Sequence, residues 1–159
     1  MRLKYPDVIA ATEVTCADHH PTVLRCHPIH RRGVLIEPFP TLFWLVCPTL
    51  HQRLSVLEAS GKIREIMADL RADPALLKSL EQDHRAYIEE RWQLMDPSEH
   101  QQIRSLGFEE NLRTRGIGGM QNFDAVKCLH LHYAHHLARG NTVGRWLDDR
   151  GLVGTCTLP

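Results

Sequence analysis

From Thr49 onward the apolar residues of this chain change period, and that change constrains the fold more than any other feature. Before it, short segments rich in β-branched residues, Asp7 to Thr15, Thr22 to Arg25, Gly33 to Ile36 and Thr41 to Val46, are separated by prolines and by the Arg31-Arg32-Gly33 turn. Such segments predict a small antiparallel sheet or irregular hairpins. After it, Leu50, Leu54 and Leu57 recur at helical spacing up to Gly61, and Ile63, Ile66, Met67 and Leu70 repeat the pattern. Asp73 and Pro74 read as an N-cap and a first-turn proline. They open a longer helix in which Leu77, Leu80, His84, Tyr87, Ile88, Trp92 and Met95 share a face. Asp96 and Pro97 mark the next break, and Ser98 to Ser105 reads as a short helix ended before Gly107.

No repeat or linker divides the chain, and 159 residues with 43% apolar side chains suffice for one sizeable core. The expected fold is therefore a single α+β, mostly helical domain over 1–159. A small β-rich N-terminal part (about 1–48) packs on a helical bundle (49–150), and a tail follows (151–159).

Nineteen basic and nineteen acidic residues balance, so no excess charge draws the chain to nucleic acid or to anionic lipid. Arg25, His30, Arg31 and Arg32 lie near Phe39, Phe43 and Trp44, but no complete RNA-recognition module accompanies them, and a solvated turn is the expectation. The longest apolar run, Leu42 to Cys47, is far short of the roughly 20 residues that span a bilayer. Residues 1–9 carry Arg2, Lys4 and Asp7 without the apolar stretch of a secretory signal, which points to the cytoplasm. Five cysteines, an odd number, fit a disulfide framework poorly, so each is weighed as ligand, nucleophile or buried small hydrophobe. Eleven histidines add further candidate ligands and proton carriers.

The segment from Arg113 to Arg139 concentrates this chemistry. A glycine-rich loop, Gly116-Ile-Gly-Gly119, leads into a helix expected from about Asn122 to Ala138 and stopped at Gly140. At about 100° per residue, Val126, Leu129, Tyr133 and Leu137 fall on one side, and Cys128, Leu131, His132 and His135 on another. A thiol and two imidazoles at i, i+4 and i+7 suit metal binding. The same spacing equally fits packed, hydrogen-bonded histidines beside a packed thiol. The glycine loop, with Arg113 and Arg115, would cradle a small anion at a helix N-terminus, although the P-loop pattern is absent and plain turn chemistry also accounts for it.

Several separated motifs carry a resemblance: Pro38-Phe-Pro-Thr-Leu-Phe-Trp-Leu-Val-Cys-Pro48, Leu57-Glu-Ala-Ser-Gly61, Gly116-Ile-Gly-Gly119 and Val126-Lys-Cys-Leu-His130. In this order they resemble the bacterial family catalogued as domain of unknown function 501, from about Cys16 to Trp146. The family name assigns no reaction. The resemblance does imply a choice among cysteines: Cys16, Cys47 and Cys128 match its pattern, whereas Cys26 and the tail residue Cys156 do not. It departs from the family at Ala17-Asp-His-His20, which leaves His19 and His20 as optional ligands.

Thiolates drawn from three distant parts of a chain make physical sense if they meet at a metal. Cys16, Cys47, Cys128 and His132 would close a tetrahedral zinc site, and the three cysteines alone would leave one iron of an iron–sulfur cluster open to substrate. The expectation is thus a metal- or iron–sulfur-binding protein, with enzymatic action on a small anionic substrate bound by Arg115, Gly118, Gly119, His130 and His135. Two alternatives stand beside it. One is a non-catalytic binding or regulatory adaptor with structural zinc. The other is an enzyme with Cys128 as nucleophile and His132 as its base.

Overall fold

The computed structural model describes residues 5–156, so the readings of residues 1–4 and of the last three tail residues lie outside it. β1 (Ile9–Thr15), β2 (Pro21–Cys26) and β5 (Phe43–Leu45) form an antiparallel sheet in the order β1-β2-β5, with Leu24 paired to both Thr12 and Trp44. β3 (Ile29–Arg32) and β4 (Leu35–Pro38) form a separate hairpin. Its turn lies one step beyond the expected one: Arg31 and Arg32 belong to β3, and Gly33, at φ +63°, takes the left-handed corner that favours glycine.

The first four helices begin beside the breaks that the sequence marks. α1 (Pro48–Ala59) and α3 (Pro74–Gln93) open on proline, and the Asp73 carboxylate accepts from the amides of Ala75 and Leu76. Between them, α2 (Lys62–Ala72) follows Gly61, whose φ is +81°. α4 (Pro97–Ser105) carries a full capping box between Asp96 and Glu99. α5 (Glu109–Thr114) and α7 (Thr142–Asp149) were not expected from the pattern; α7 is capped by the Asn141 side chain, which accepts from the Gly144 amide at 2.7 Å.

The largest correction concerns α6, which spans Leu129–Arg139 and starts some two turns later than its expected Asn122. Asn122 closes an Asx turn on the Asp124 amide, Phe123 stacks on His84, and Cys128 is extended at the N-cap. Local turn chemistry and a tertiary ring contact there override helical periodicity. Cys128 therefore projects from the entry of α6, not from its flank.

One buried cluster unites sheet and helices, with Val23 and Phe43 from the strands packed among Leu54, Leu70, Leu80 and Leu147. A second, around Ile29, Trp92, Ile103 and Leu112, seats the β3–β4 hairpin on α3, α4 and α5. Tyr87 and Trp92 are buried, so the long stripe of α3 faces the protein's own core. Arg91 is buried too; its guanidinium donates to the carbonyls of Pro40, Leu112 and Arg115 and so ties α3 to the β4–β5 connection and to the end of α5. Among the described residues no helix is long and apolar enough to cross a membrane.

Candidate functional site

α1 and the entry of α6 meet face to face. On α1, His51, Ser55 and Glu58 stand at i, i+4 and i+7, so they share one side of the helix. That side confronts Cys128, Leu129 and His130. The Leu129 amide donates to Glu58 Oε1 at 2.5 Å, which places a carboxylate on the N-terminus of α6, where unpaired amides and the helix dipole favour negative charge.

His130 is held through both ring nitrogens. Nε2 lies 3.0 Å from the His51 carbonyl oxygen and 3.1 Å from Ser55 Oγ, while Nδ1 lies 3.3 Å from Glu58 Oε1 and 3.8 Å from Cys128 Sγ. A carbonyl only accepts, so Nε2 carries a proton and Nδ1 is the atom turned toward thiol and carboxylate. The Cys128 contact, the His51 carbonyl and the Glu58 charge push the His130 pKa up to about 9, against an opposing effect of burial. The His51 ring lies 4.2 Å away, centroid to centroid; its pKa is lowered by desolvation and by the nearby His130 charge.

One ligand atom each from Glu58, Cys128 and His130 lies within 4.8 Å of the others, and all three residues are half-buried. Two ligands bound at about 2.0–2.3 Å to one tetrahedral ion are separated by roughly 3.3–3.8 Å. The 3.3 Å and 3.8 Å spacings about His130 Nδ1 fit that requirement. Thiolate, imidazole and carboxylate together form a donor set suited to zinc.

The structure distributes the other sequence candidates differently. Cys16 lines a cleft at the end of β1, and Cys47, fully buried at the N-cap of α1, has its sulfur 3.1 Å from that of Cys156. Neither joins the group around His130. His132 is completely buried, its ring nitrogens have no hydrogen-bond partner among the described residues, and it meets His84 edge-on at 5.4 Å.

His135 stacks on Phe43 at 5.8 Å and accepts at Nδ1 from Asn141 Nδ2. The orientation of Asn141 is fixed because its Oδ1 takes the Gly144 amide. Burial lowers the pKa of His132 well below its usual value and that of His84 and His135 to about 4, so all three are neutral near pH 7.

In the glycine loop, the Ile117 amide donates to His84 Nδ1 and the Gly116 backbone lies against the same ring, where a Cβ would sit 2.4 Å from Nδ1. Gly118 and Gly119 are both at positive φ, and the Arg115 guanidinium turns back to the Gly119 carbonyl. Elsewhere, Arg25 pairs with Glu13, Arg31 with Glu99 and His30 with Asp7, so three of the four residues of the basic cluster near Phe39 have acidic partners within the chain.

Glu58 and His51 were not among the sequence candidates. Their sequence signals are the polar i, i+4, i+7 stripe on α1, which resembles any solvated helix face, and, for Glu58, its place in the Leu57-Glu-Ala-Ser-Gly61 motif.

Residues 12–149 match the family model described as protein of unknown function (DUF501). The chain belongs to the DUF501 family. No curated protein and no solved structure matches it. In this DUF501 chain, Glu58, Cys128 and His130 all lie inside the matched segment, whereas Cys156 lies beyond it.

Proposed function

We propose that this DUF501 chain is a zinc-binding protein whose ion is held by Glu58, Cys128 and His130, with the fourth position left to water or a small anionic ligand. The observation that carries the reading is the approach of the three ligand atoms to within 4.8 Å of one another, with the His130 tautomer set by the His51 carbonyl. A single thiol offers too few ligands for an iron–sulfur cluster, which favours zinc over iron. Bound zinc would supply Lewis-acid polarisation of a water or anion at the open position. The open position separates an enzyme from an adaptor with closed structural zinc. Five free thiols fit a reducing cytoplasm.

The same contact supports a second reading, in which Cys128 is a nucleophile and the neighbouring imidazole that serves it is His130.

Metal and acid-labile sulfide content of the purified full chain tests both. Near-stoichiometric zinc, lost in Cys128→Ser and in His130→Ala but kept in Cys16→Ser, is expected. Iron with sulfide, or zinc that survives Cys128→Ser, would overturn the zinc reading. A metal-free chain in which iodoacetamide labels Cys128 ahead of the other thiols, and loses that preference in His130→Ala, would favour the nucleophile.

A further inference from the structure

We infer that Cys47 and Cys156 form a peroxide-sensitive thiol pair, with Cys156 as the sulfur that meets the oxidant and Cys47 as the one that resolves it. Their sulfurs lie 3.1 Å apart, about 1 Å more than a disulfide bond, although 109 residues separate them in sequence. The approach is built from both sides. Cys47 is fixed as the buried N-cap of α1. Six residues on, Arg53 Nη1 donates to the carbonyls of Val153 and Thr155 at 2.8 and 2.7 Å, and Val153 is itself buried in the core. The C-terminal segment is thereby clasped so that Cys156 falls on Cys47.

The two sulfurs differ in access. Cys47 is wholly buried, whereas Cys156 is half-buried and lines an open cleft of about 470 Å³, whose wall also holds Cys16, Leu50, Tyr133 and Asp148. Hydrogen peroxide entering that cleft reaches Cys156 first. The Cys156 sulfur attacks one peroxide oxygen, the O–O bond breaks, and the departing hydroxide takes the thiol proton and leaves as water. The Cys47 sulfur then displaces the hydroxyl of the Cys156 sulfenic acid, and a second water departs with the Cys47 proton. Two thiols lose two electrons in total, and one peroxide is reduced to two waters. The product joins the C-terminal segment covalently to the start of α1. It uses neither Cys128 nor His130, so it stands apart from the zinc reading.

The test is stepwise oxidation of the full chain with hydrogen peroxide, followed by thiol titration and non-reducing peptide mapping. The expected result is loss of two of the five thiols, a Cys47–Cys156 cross-link reversed by dithiothreitol, and a higher Tm for the oxidised chain. Cys156→Ser abolishes the cross-link and leaves Cys47 reduced. Cys47→Ser leaves a Cys156 sulfenic acid that dimedone traps. Arg53→Ala slows cross-linking by releasing the clasp. A Cys16–Cys156 cross-link in place of Cys47–Cys156, over-oxidation of Cys156 with no cross-link, or five thiols that survive treatment would each overturn the proposal.

Discussion

His130 Nε2 donates to the carbonyl oxygen of His51 at 3.0 Å, and that one bond decides which ring nitrogen faces Cys128 and Glu58. Because the acceptor is backbone on the first turns of α1, it survives any side-chain change at His51. Ser55 Oγ, 3.1 Å from the same nitrogen, is the side-chain part of this support.

On the proposed zinc reading, Ser55→Ala is expected to weaken zinc binding by about 10-fold without abolishing it, the usual scale for loss of a group that orients a ligand. Competition against a chromophoric chelator measures this. His51→Ala, which keeps the backbone carbonyl, should cost less than Ser55→Ala.

Acid should destabilise the fold through its buried histidines. His84 and His135 titrate at about 4 in the folded chain against 6.5 when exposed, and His132 is likewise lowered well below its usual value, all chiefly through burial. The unfolded chain then takes up protons that the folded chain refuses. The contribution of these buried rings is complete above about pH 6.5 and falls as pH drops toward 4. The scale is on the order of 3 kcal/mol for each of His84 and His135. Urea unfolding at a series of pH values checks both direction and window.

His132→Leu should raise stability by about 1 kcal/mol at pH 7 and flatten part of that acid response. The ring is fully buried and both of its nitrogens lack partners among the described residues, so an apolar replacement removes a desolvation cost and breaks no side-chain hydrogen bond. A lower urea midpoint at pH 7 would show that the ring has a buried partner.

Arg91→Met should destabilise by about 3–5 kcal/mol, because three carbonyls, those of Pro40, Leu112 and Arg115, lose a buried charged donor together. Denaturant unfolding measures the change.

Gly116→Ala should cost about 1–3 kcal/mol or more. A methyl group there would sit 2.4 Å from His84 Nδ1, and relief requires His84 to release the Ile117 amide. Thermal melts of the variant beside wild type give the shift.

Much of the fold was legible in particular residues. Pro48, the Asp73-Pro74 and Asp96-Pro97 pairs and Gly61 mark helix ends through interactions spanning a few residues, and α1 to α4 begin and end beside them. The four separated motifs were enough to place the chain in its family. The start of α6 was not legible, because the Asn122 turn and the Phe123–His84 stack compete with a periodicity that looks continuous on paper. Cys47, Cys128 and His130 stood out as chemistry-bearing residues in the sequence, but their partners did not: Glu58 meets His130 across 72 positions, and Cys156 meets Cys47 across 109. Caps, turns and periodicity are short-range and written locally, so the sequence by itself determined the ends of the first four helices and the family. Which side chains share one small volume depends on how those elements close on a common core, and only the tertiary structure decided that.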